Sequence, residues 1–404
     1  MNARVVVVML AVCLLGATSA AQGEGEAGVT YREVIAEARR AAPDLRVARA
    51  REAVARSEIR VARAYPNPLL SFGTSTQTAR LSVAASIPLL VFGQRGAAED
   101  ASRADLVTVQ VETEQAWSEV RVQASRAFIA LWLAEQLARE RQDVAKIAAD
   151  LERLVAGRVE LGAAPELDLL RAKAERLRAD ADSEEARQNI LAAGSELGRW
   201  IGHPGGSSLR TRGGLSVPGA APPLRALLAK IGVNPAVRRE QADARAAEAR
   251  VKREKAQVRP LLLLDLGVET MDPTLPAPNY HTQLGVELPL FDQRGGPIER
   301  ERASARAAHA RGDLATAQLA AELSVAYRIF EAMSARSQAL EQGVIPAADV
   351  AAKATQESYS LGRAPLLAVL DSFRASIDAT VSLREAQAAR ANAWTDIERV
   401  AGAP

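Results

Sequence analysis

The stretch that decides the fold is Glu287-Leu288-Pro289-Leu290-Phe291-Asp292-Gln293-Arg294-Gly295-Gly296. Upstream of it, apolar residues recur at every second position up to Leu288, with mostly polar residues between them. This period of two is typical of a strand with one apolar and one polar face. Downstream, the chain becomes rich in Ala, Glu and Arg, and Pro297 suits the first turn of a helix. The stretch therefore predicts that an amphipathic strand is converted into a long helix.

The same arrangement occurs earlier in the chain, at Ile87-Pro88-Leu89-Leu90-Val91-Phe92-Gly93-Gln94-Arg95-Gly96. Two further groups of residues recur downstream in the same order. They are Pro66, Leu69, Leu70 and Gly73, repeated as Pro260, Leu263, Leu264 and Gly267, and Leu161, Gly162, Ala164, Pro165, Leu167 and Leu170, repeated as Leu361, Gly362, Ala364, Pro365, Leu367 and Leu370. A period of roughly 200 residues predicts an internal duplication.

The duplication predicts the domain organisation. The chain divides into a signal peptide at 1–21, a first repeat at 22–202, a linker at 203–223 and a second repeat at 224–404. The first repeat contains a strand pair at 68–90, a long helix at 97–160, a tip at 161–165 and a returning helix. The second contains a strand pair at 260–290, a long helix at 297–360, a tip at 361–365 and a returning helix. At 1.5 Å per residue, each long helix would extend roughly 96 Å.

The N-terminus reads as a secretory signal, with Arg4 followed by an apolar core from Val5 to Leu15. That core is too short to span a bilayer. Cys13, the only cysteine, lies inside it in a poor bacterial lipidation context, so lipidation is an open alternative. After cleavage the chain would contain no thiol. The near balance of 51 basic and 49 acidic residues does not predict nucleic-acid binding.

Two strands in each repeat give four strands in the chain. A four-stranded sheet has open edges, and each unpaired backbone group in lipid costs several kcal/mol. Bacterial outer-membrane barrels begin at eight strands. If these strands enter a membrane, other copies of the chain must complete the sheet.

Both strand-to-helix stretches and both tips resemble the outer-membrane efflux factor family, the TolC-like channels. The tips concerned run from Leu161-Gly162 to Leu170 and from Leu361-Gly362 to Asp371. The short stretch Pro289-Leu290-Phe291-Asp292-Gln293-Arg294-Gly295 is most similar to the channels of heavy-metal efflux systems, and a drug or organic-solute system fits almost as well. The resemblance implies a mainly α fold with a small β part, in which a homotrimer forms a 12-stranded outer-membrane barrel continued by a 12-helix periplasmic α-barrel.

The resemblance also implies a function and partners. The subunit would passively conduct solutes that an inner-membrane efflux pump expels through a periplasmic adaptor (membrane fusion) protein, with no catalysis and no cofactor. It would lie in outer-membrane lipid and extend into the periplasm of a Gram-negative cell. Two alternatives are a periplasmic adaptor, which should carry a lipoyl-like β domain, and a coiled-coil spacer, which would need no amphipathic strands. The exported solute is not identifiable from the sequence.

The alternation of the second strand pair predicts which residues line a pore. If the apolar positions face lipid, the residues facing the lumen are Asp265, Glu269, Gln283 and Glu287. A half-buried sheet in a soluble protein is the alternative. The three histidines, His203, His281 and His309, lack ligand spacing, so no metal site is predicted.

The tips are predicted to form the closed periplasmic end, which this family seals with acidic residues. Asp371 and Asp168 each match one acidic position, while Arg171 and Arg363 add positive charge, so a ring of mixed sign is expected. The pairs Leu161-Gly162 and Leu361-Gly362 are predicted to dock the adaptor, or else only to turn the chain.

Overall fold

The computed structural model describes residues 28–74, 76, 81–203, 205, 208–271 and 278–402. The predicted signal peptide, with Cys13, lies outside these residues. The first half contains, in order, β1 (Gly28–Val29), α1 (Tyr31–Ala41), α2 (Pro43–Arg63), β2 (Leu69–Gly73), β3 (Leu81–Leu89), α3 (Gln94–Glu160) and α4 (Glu166–Ile201). The second half contains β4 (Arg210–Thr211), α5 (Leu224–Leu228), a 3₁₀ turn (Ile231–Val233), α6 (Pro235–Ala256), β5 (Leu261–Thr270), β6 (Asn279–Glu287), α7 (Gly295–Ala339), α8 (Ile345–Ser360) and α9 (Leu366–Val400). The fold is mainly helical, as predicted.

The helices that lead into the sheet begin at residues suited to a helix N-terminus. Thr30 and Glu33 form a capping box, in which each residue's backbone N–H donates to the other's side chain, at 2.7 and 3.3 Å. Pro43 is the first residue of α2, where a missing N–H costs nothing. The Asn234 side chain accepts from the N–H of Ala236 at 2.9 Å and caps α6. Local sequence thus fixes where these helices start.

The strand pairs of the two repeats, β2 with β3 and β5 with β6, join in one antiparallel sheet of order β2-β3-β5-β6. β3 and β5 pair across the two repeats, so β2 and β6 are the edges of the sheet in a single chain. The predicted extension of the last strand to residue 290 is wrong. β6 ends at Glu287 because its partner β5 begins opposite it at Leu261, and Pro289 has no N–H with which to continue a ladder.

The long helices differ slightly from prediction. α3 begins at Gln94, three residues before the predicted start at 97, because Gly93 takes a left-handed φ of 85° and so turns the chain into the helix. The predicted helix 297–360 begins at Gly295 and is interrupted by a π-helical turn at Leu340–Val344. Pro346, in the first turn of α8, has no N–H for an α-helical hydrogen bond, which explains why the ladder is interrupted there.

Small and apolar residues pack the helices closely. α3 contacts α2 and α6 in its first part and α4 and α9 in its second, so one helix connects the sheet end to the tip end. One buried cluster centres on Phe128, Leu131 and Leu197. A second centres on Leu323 and Phe330, with Ile397 from the last helix. These clusters hold the hairpins together between the two ends.

The predicted linker contains a short strand. β4 pairs in parallel with β1, and the N–H of Thr211 donates to the Glu135 carboxylate of α3 at 2.8 Å. This contact could not be predicted, because a two-residue strand is too short to show a periodicity. The segment is therefore tied to the helices instead of spanning a gap.

Candidate functional sites at the two ends of the chain

The four predicted lumen residues lie on one face of the sheet. Directly paired residues of antiparallel strands lie on the same face. The register pairs Asp265 with Gln283, Glu269 with Asn279, and Leu261 with Glu287. Because positions two apart along a strand also share a face, the four predicted residues Asp265, Glu269, Gln283 and Glu287 lie together on this polar face. At its helix-proximal end the face becomes apolar, with Leu261 and its neighbours.

The opposite face of the sheet is an apolar surface that continues across all four strands. Its residues are Leu70, Phe72, Val83, Ala85, Ile87, Leu89, Leu262, Leu264, Leu266, Val268, Tyr280, Leu284 and Val286. In the single chain Phe72 is 74% exposed and Leu284 is 61% exposed. A continuous exposed apolar surface of this kind marks contact with a membrane or with another protein.

His281 lies on the polar face, as the alternation predicts, although it was not among the predicted lumen residues. It is paired with Gly267, and a Cβ built on that glycine would lie 2.1 Å from the imidazole Cε1 atom. Glycine is therefore required at 267 for the imidazole to lie across the strand. The alternation of apolar and polar residues that places Gln283 on this face also includes His281.

Two short connections, here called elbows, join the sheet to the long helices: residues 90–93 precede α3, and residues 288–294 precede α7. The two elbows are held by different contacts. In the first, the Gln94 side chain donates to the Pro260 carbonyl at 3.0 Å. In the second, Arg294 has a left-handed φ of 53°, and its Nε donates to the Glu254 carboxylate of α6 at 2.9 Å. Glu254 is only 2% exposed and also accepts from Arg253. Burial alone would raise the pKa of Glu254, but its hydrogen bonds to Arg294 and Arg253 outweigh burial and lower the pKa.

The two tips share one backbone conformation. Leu161 and Leu361 both have φ −82° and ψ 0°, and the following Gly162 and Gly362 have φ values of 69° and 71°. In each tip the glycine N–H donates to the carbonyl three residues back, at 2.9 Å. Glycine suits both positions because a positive φ is strained for other residues. Leu161 is 84% exposed, so each turn presents an apolar side chain at the end of the molecule.

The predicted gate residues do not all come together within one chain. Asp168 and Arg171 lie one turn apart, with an Oδ1–Nη1 distance of 3.9 Å. Within the described residues of a single chain, no ion pair joins Arg363 to Asp371, and both side chains are exposed. The closest charge pair between α4 and α9 is instead Glu175 with Arg374, at 2.7 Å.

Arg158 connects the two tips, and the sequence analysis missed it. Its guanidinium donates to the Tyr359 carbonyl of the second tip, and to the Ala163 carbonyl of its own tip at 3.2 Å. The guanidinium carbon also lies 4.6 Å from the centre of the Tyr359 ring. Tyr359 belongs to a buried cluster with Val155 and Val369, so the two hairpins of one chain are held together at their ends.

No group of three or more His, Cys, Asp or Glu side chains is placed to hold a metal ion in the described ranges. In the same ranges, no helix combines the length and the apolar character needed to cross a membrane.

The chain thus combines an amphipathic four-stranded sheet with two long helical hairpins. The chain belongs to the outer membrane efflux protein family, whose family model matches residues 34–203 and 231–403. It is the outer-membrane channel subunit of a tripartite efflux system and extends from the outer membrane into the periplasm. Channels of this family work with an adaptor and an inner-membrane pump.

Known proteins with the same fold cover nearly the whole chain. The cobalt-zinc-cadmium resistance protein CzcC of Cupriavidus metallidurans is 24% identical over 348 residues, which are 84% of this chain and 82% of that protein. The solved structure of CusC has a TM-score of 0.78 at 16% identity and covers 92% of this chain and 91% of its own. The outer membrane protein VceC of Vibrio cholerae has a TM-score of 0.75 at 17% identity, with coverage of 92% and 96%. The resemblance to the outer-membrane efflux factor family is thereby confirmed.

Proposed function

We propose that three copies of the chain close the sheet into a 12-stranded barrel, continued in the periplasm by a tunnel of 12 helices. The observation that carries this proposal is that one chain leaves both edges of its sheet, β2 and β6, open. Open edges are untenable in lipid, and closure into a barrel removes them. Each chain would supply four strands and, directly beneath them, the four helices α2, α3, α6 and α7.

The helices below the open edges support the same arrangement. α2 leads into β2, and its Val47, Val54 and Val61 recur every seven residues and are exposed, while Leu45 is buried in a cluster with residues of α3. α7 follows β6 and has an exposed apolar series at heptad-like spacing, formed by Ala303, Ala307, Ala310 and Leu314. Such series pack in coiled-coil fashion against another helix. We therefore place α2 of one chain against α7 of the next.

The polar face of the sheet would line the pore. Asp265, Glu269 and Glu287 give this face negative charge, and the described residues of β2, β3, β5 and β6 include no Lys or Arg. An acidic ring favours cations. A cation as cargo agrees with the name of the CzcC relative, so we propose passive efflux of metal cations, without catalysis in this subunit.

The tips would form the periplasmic gate and the adaptor contact. Asp371, Arg363, Asp168 and Arg171 would meet their symmetry mates where the twelve helices converge. The exposed pairs Leu161-Gly162 and Leu361-Gly362 would dock the adaptor. The order of strand pair, long helix, tip and returning helix in each half supports two repeats, at 22–202 and 224–404, joined by 203–223.

The assembly can be tested on the mature protein in detergent. Light scattering and native mass spectrometry should give a trimer, and Val54→Glu with Val61→Glu should dissociate it, because charge replaces the apolar contact. Arg60→Glu, on the flank of the same helix, should leave the trimer intact. A monodisperse folded monomer of the unaltered protein would overturn the proposal.

A further inference from the structure

A cavity between α1, α2 and α3 is lined largely by arginine. Its volume is about 630 Å³, within the range of small-molecule sites. Its wall holds two aromatic rings, Tyr31 and Trp117, and five arginines: Arg32, Arg39, Arg40, Arg49 and Arg121. The lining includes no carboxylate among the described residues, which is unusual for a chain with nearly equal numbers of acidic and basic residues.

Two of these arginines are held in place by groups without charge. The Arg39 guanidinium carbon lies 5.4 Å from the centre of the Trp117 ring. Arg49 donates to the backbone carbonyl of Arg39 at 2.8 Å. Neither contact supplies a negative charge, whereas Arg40 is paired with Glu37 beside the cavity. The structure therefore places both guanidinium groups on the wall of one open space whose described lining offers them no carboxylate.

We propose that this cavity binds a multivalent oxyanion, that is, a solute or polymer with several phosphate or carboxylate groups. A guanidinium donates two parallel hydrogen bonds to such a group, and several arginines around one anion remove their mutual repulsion. Trp117 lies 23 residues into α3, roughly 35 Å along the helix from the sheet. At that depth, lipid headgroups are out of reach, so the ligand is expected from the periplasm.

Binding should be measured on the assembled protein in detergent, with inositol hexakisphosphate and oligoglutamate as soluble probes. Trp117 provides a local signal, so either probe should change tryptophan fluorescence saturably, and Trp117→Phe should abolish that change. The affinity measured by calorimetry should fall with salt, because ion contacts are screened. Saturable binding of both probes would indicate that negative charge alone is recognised. Saturable binding of only one would identify phosphate or carboxylate as the recognised group. Absence of saturable binding by either would overturn the proposal.

Matched variants distinguish the cavity from a generally basic surface. Arg39→Gln with Arg49→Gln should weaken binding at least tenfold. Arg60→Gln with Arg63→Gln removes the same charge from α2 outside the cavity and should change affinity less than twofold. Equal losses in the two double variants, or binding to anionic vesicles without binding to the soluble probes, would contradict a built site. The trimer should persist in all variants, which separates this test from that of assembly.

Discussion

The sheet end and the tip end of the chain differ in how far their apolar side chains are packed within a single chain, although Leu161 is exposed at the turn of one tip. At the sheet end, Phe72 and Leu284 are exposed on a continuous apolar face, and the edge strands lack partners in the single chain. At the tip end, Val155, Tyr359 and Val369 are buried against one another inside the same chain. The tips are therefore held together within one chain, whereas in the proposed trimer lipid would cover the apolar face of the sheet and further copies would pair with its edges.

The same contrast holds for charged groups. Near the sheet, Glu254 is buried between two arginines, so the stability that it adds to the elbow at Arg294 depends on whether its carboxylate is ionised. At the tips, Asp371 and Arg363 are exposed, and water screens their charges. Single substitutions should therefore have large effects at the sheet end and small ones at the gate.

The largest effect is expected from Val286→Arg on the apolar sheet face. An arginine at the bilayer midplane costs about 2–4 kcal/mol, and the trimer would bear that cost three times. The variant should fail to accumulate as a trimer in outer-membrane fractions. Its control is Glu287→Arg on the opposite face, which should assemble and shift the reversal potential of the reconstituted channel toward anions. Equal loss of assembly in both would show that the faces are wrongly assigned.

Glu254→Gln should destabilise the elbow at Arg294 by roughly 1–3 kcal/mol, because a charged hydrogen-bond partner is lost in a buried site. Hydrogen exchange should accelerate at residues 290–296. Glu248→Gln, at an exposed position of the same helix, should leave exchange there unchanged. Comparable protection of 290–296 in the two variants would contradict a role for Glu254.

The elbow should also respond to acid. Because the folded-state pKa of Glu254 is lowered, its stabilisation is full above the ordinary carboxyl pKa of roughly 4.3 and is lost as the pH falls through the lower folded value. Protection of residues 290–296 should therefore fall below about pH 4 in the unaltered protein, and Glu254→Gln should lack this step. An identical pH profile in both proteins would assign the titration to other groups.

A smaller effect is expected from Arg158→Ala at the tips. The variant loses hydrogen bonds to two backbone carbonyls and the contact with the Tyr359 ring, worth roughly 1–2 kcal/mol locally. Exchange at residues 358–363 should accelerate, because the second tip is no longer tied to the first. Arg153→Ala, which removes only a surface pair with Asp150, should not change it. Unaltered exchange in Arg158→Ala would mean that apolar packing alone joins the tips.

The smallest effect is expected at the proposed gate. Each ion pair that Asp371 or Arg363 would form with a symmetry mate at the proposed gate is exposed and contributes about 0–1 kcal/mol. The double variant Asp371→Ala with Arg363→Ala should therefore raise closed-state conductance without changing assembly. Asp378→Ala lies seven residues further along α9 and serves as the control. Single-channel recording decides the matter, and an unchanged closed-state conductance in an intact trimer would exclude these residues from the gate.

Local sequence predicted the elements at both ends well. The alternation around Leu284 placed Gln283 and Glu287 on one face, and the turn residues Gly162 and Gly362 ended helices where expected. Such signals are short-range, because strand periodicity and the φ preference of glycine act within a few residues. The end of β6 at Glu287 was missed because alternation continues past the point where the partner strand begins.

The amphipathic strands, the two strand-to-helix elbows and the two turning tips follow from local sequence, because each depends on neighbouring residues. The pairing of β3 with β5, the contact of Arg294 with Glu254 and the contact of Arg158 with Tyr359 depend on how distant segments pack together. The last pair lies 201 residues apart in sequence. The packing of the helices decides which carbonyl or carboxylate lies within reach of a long arginine side chain, and no local sequence pattern predicts that partner.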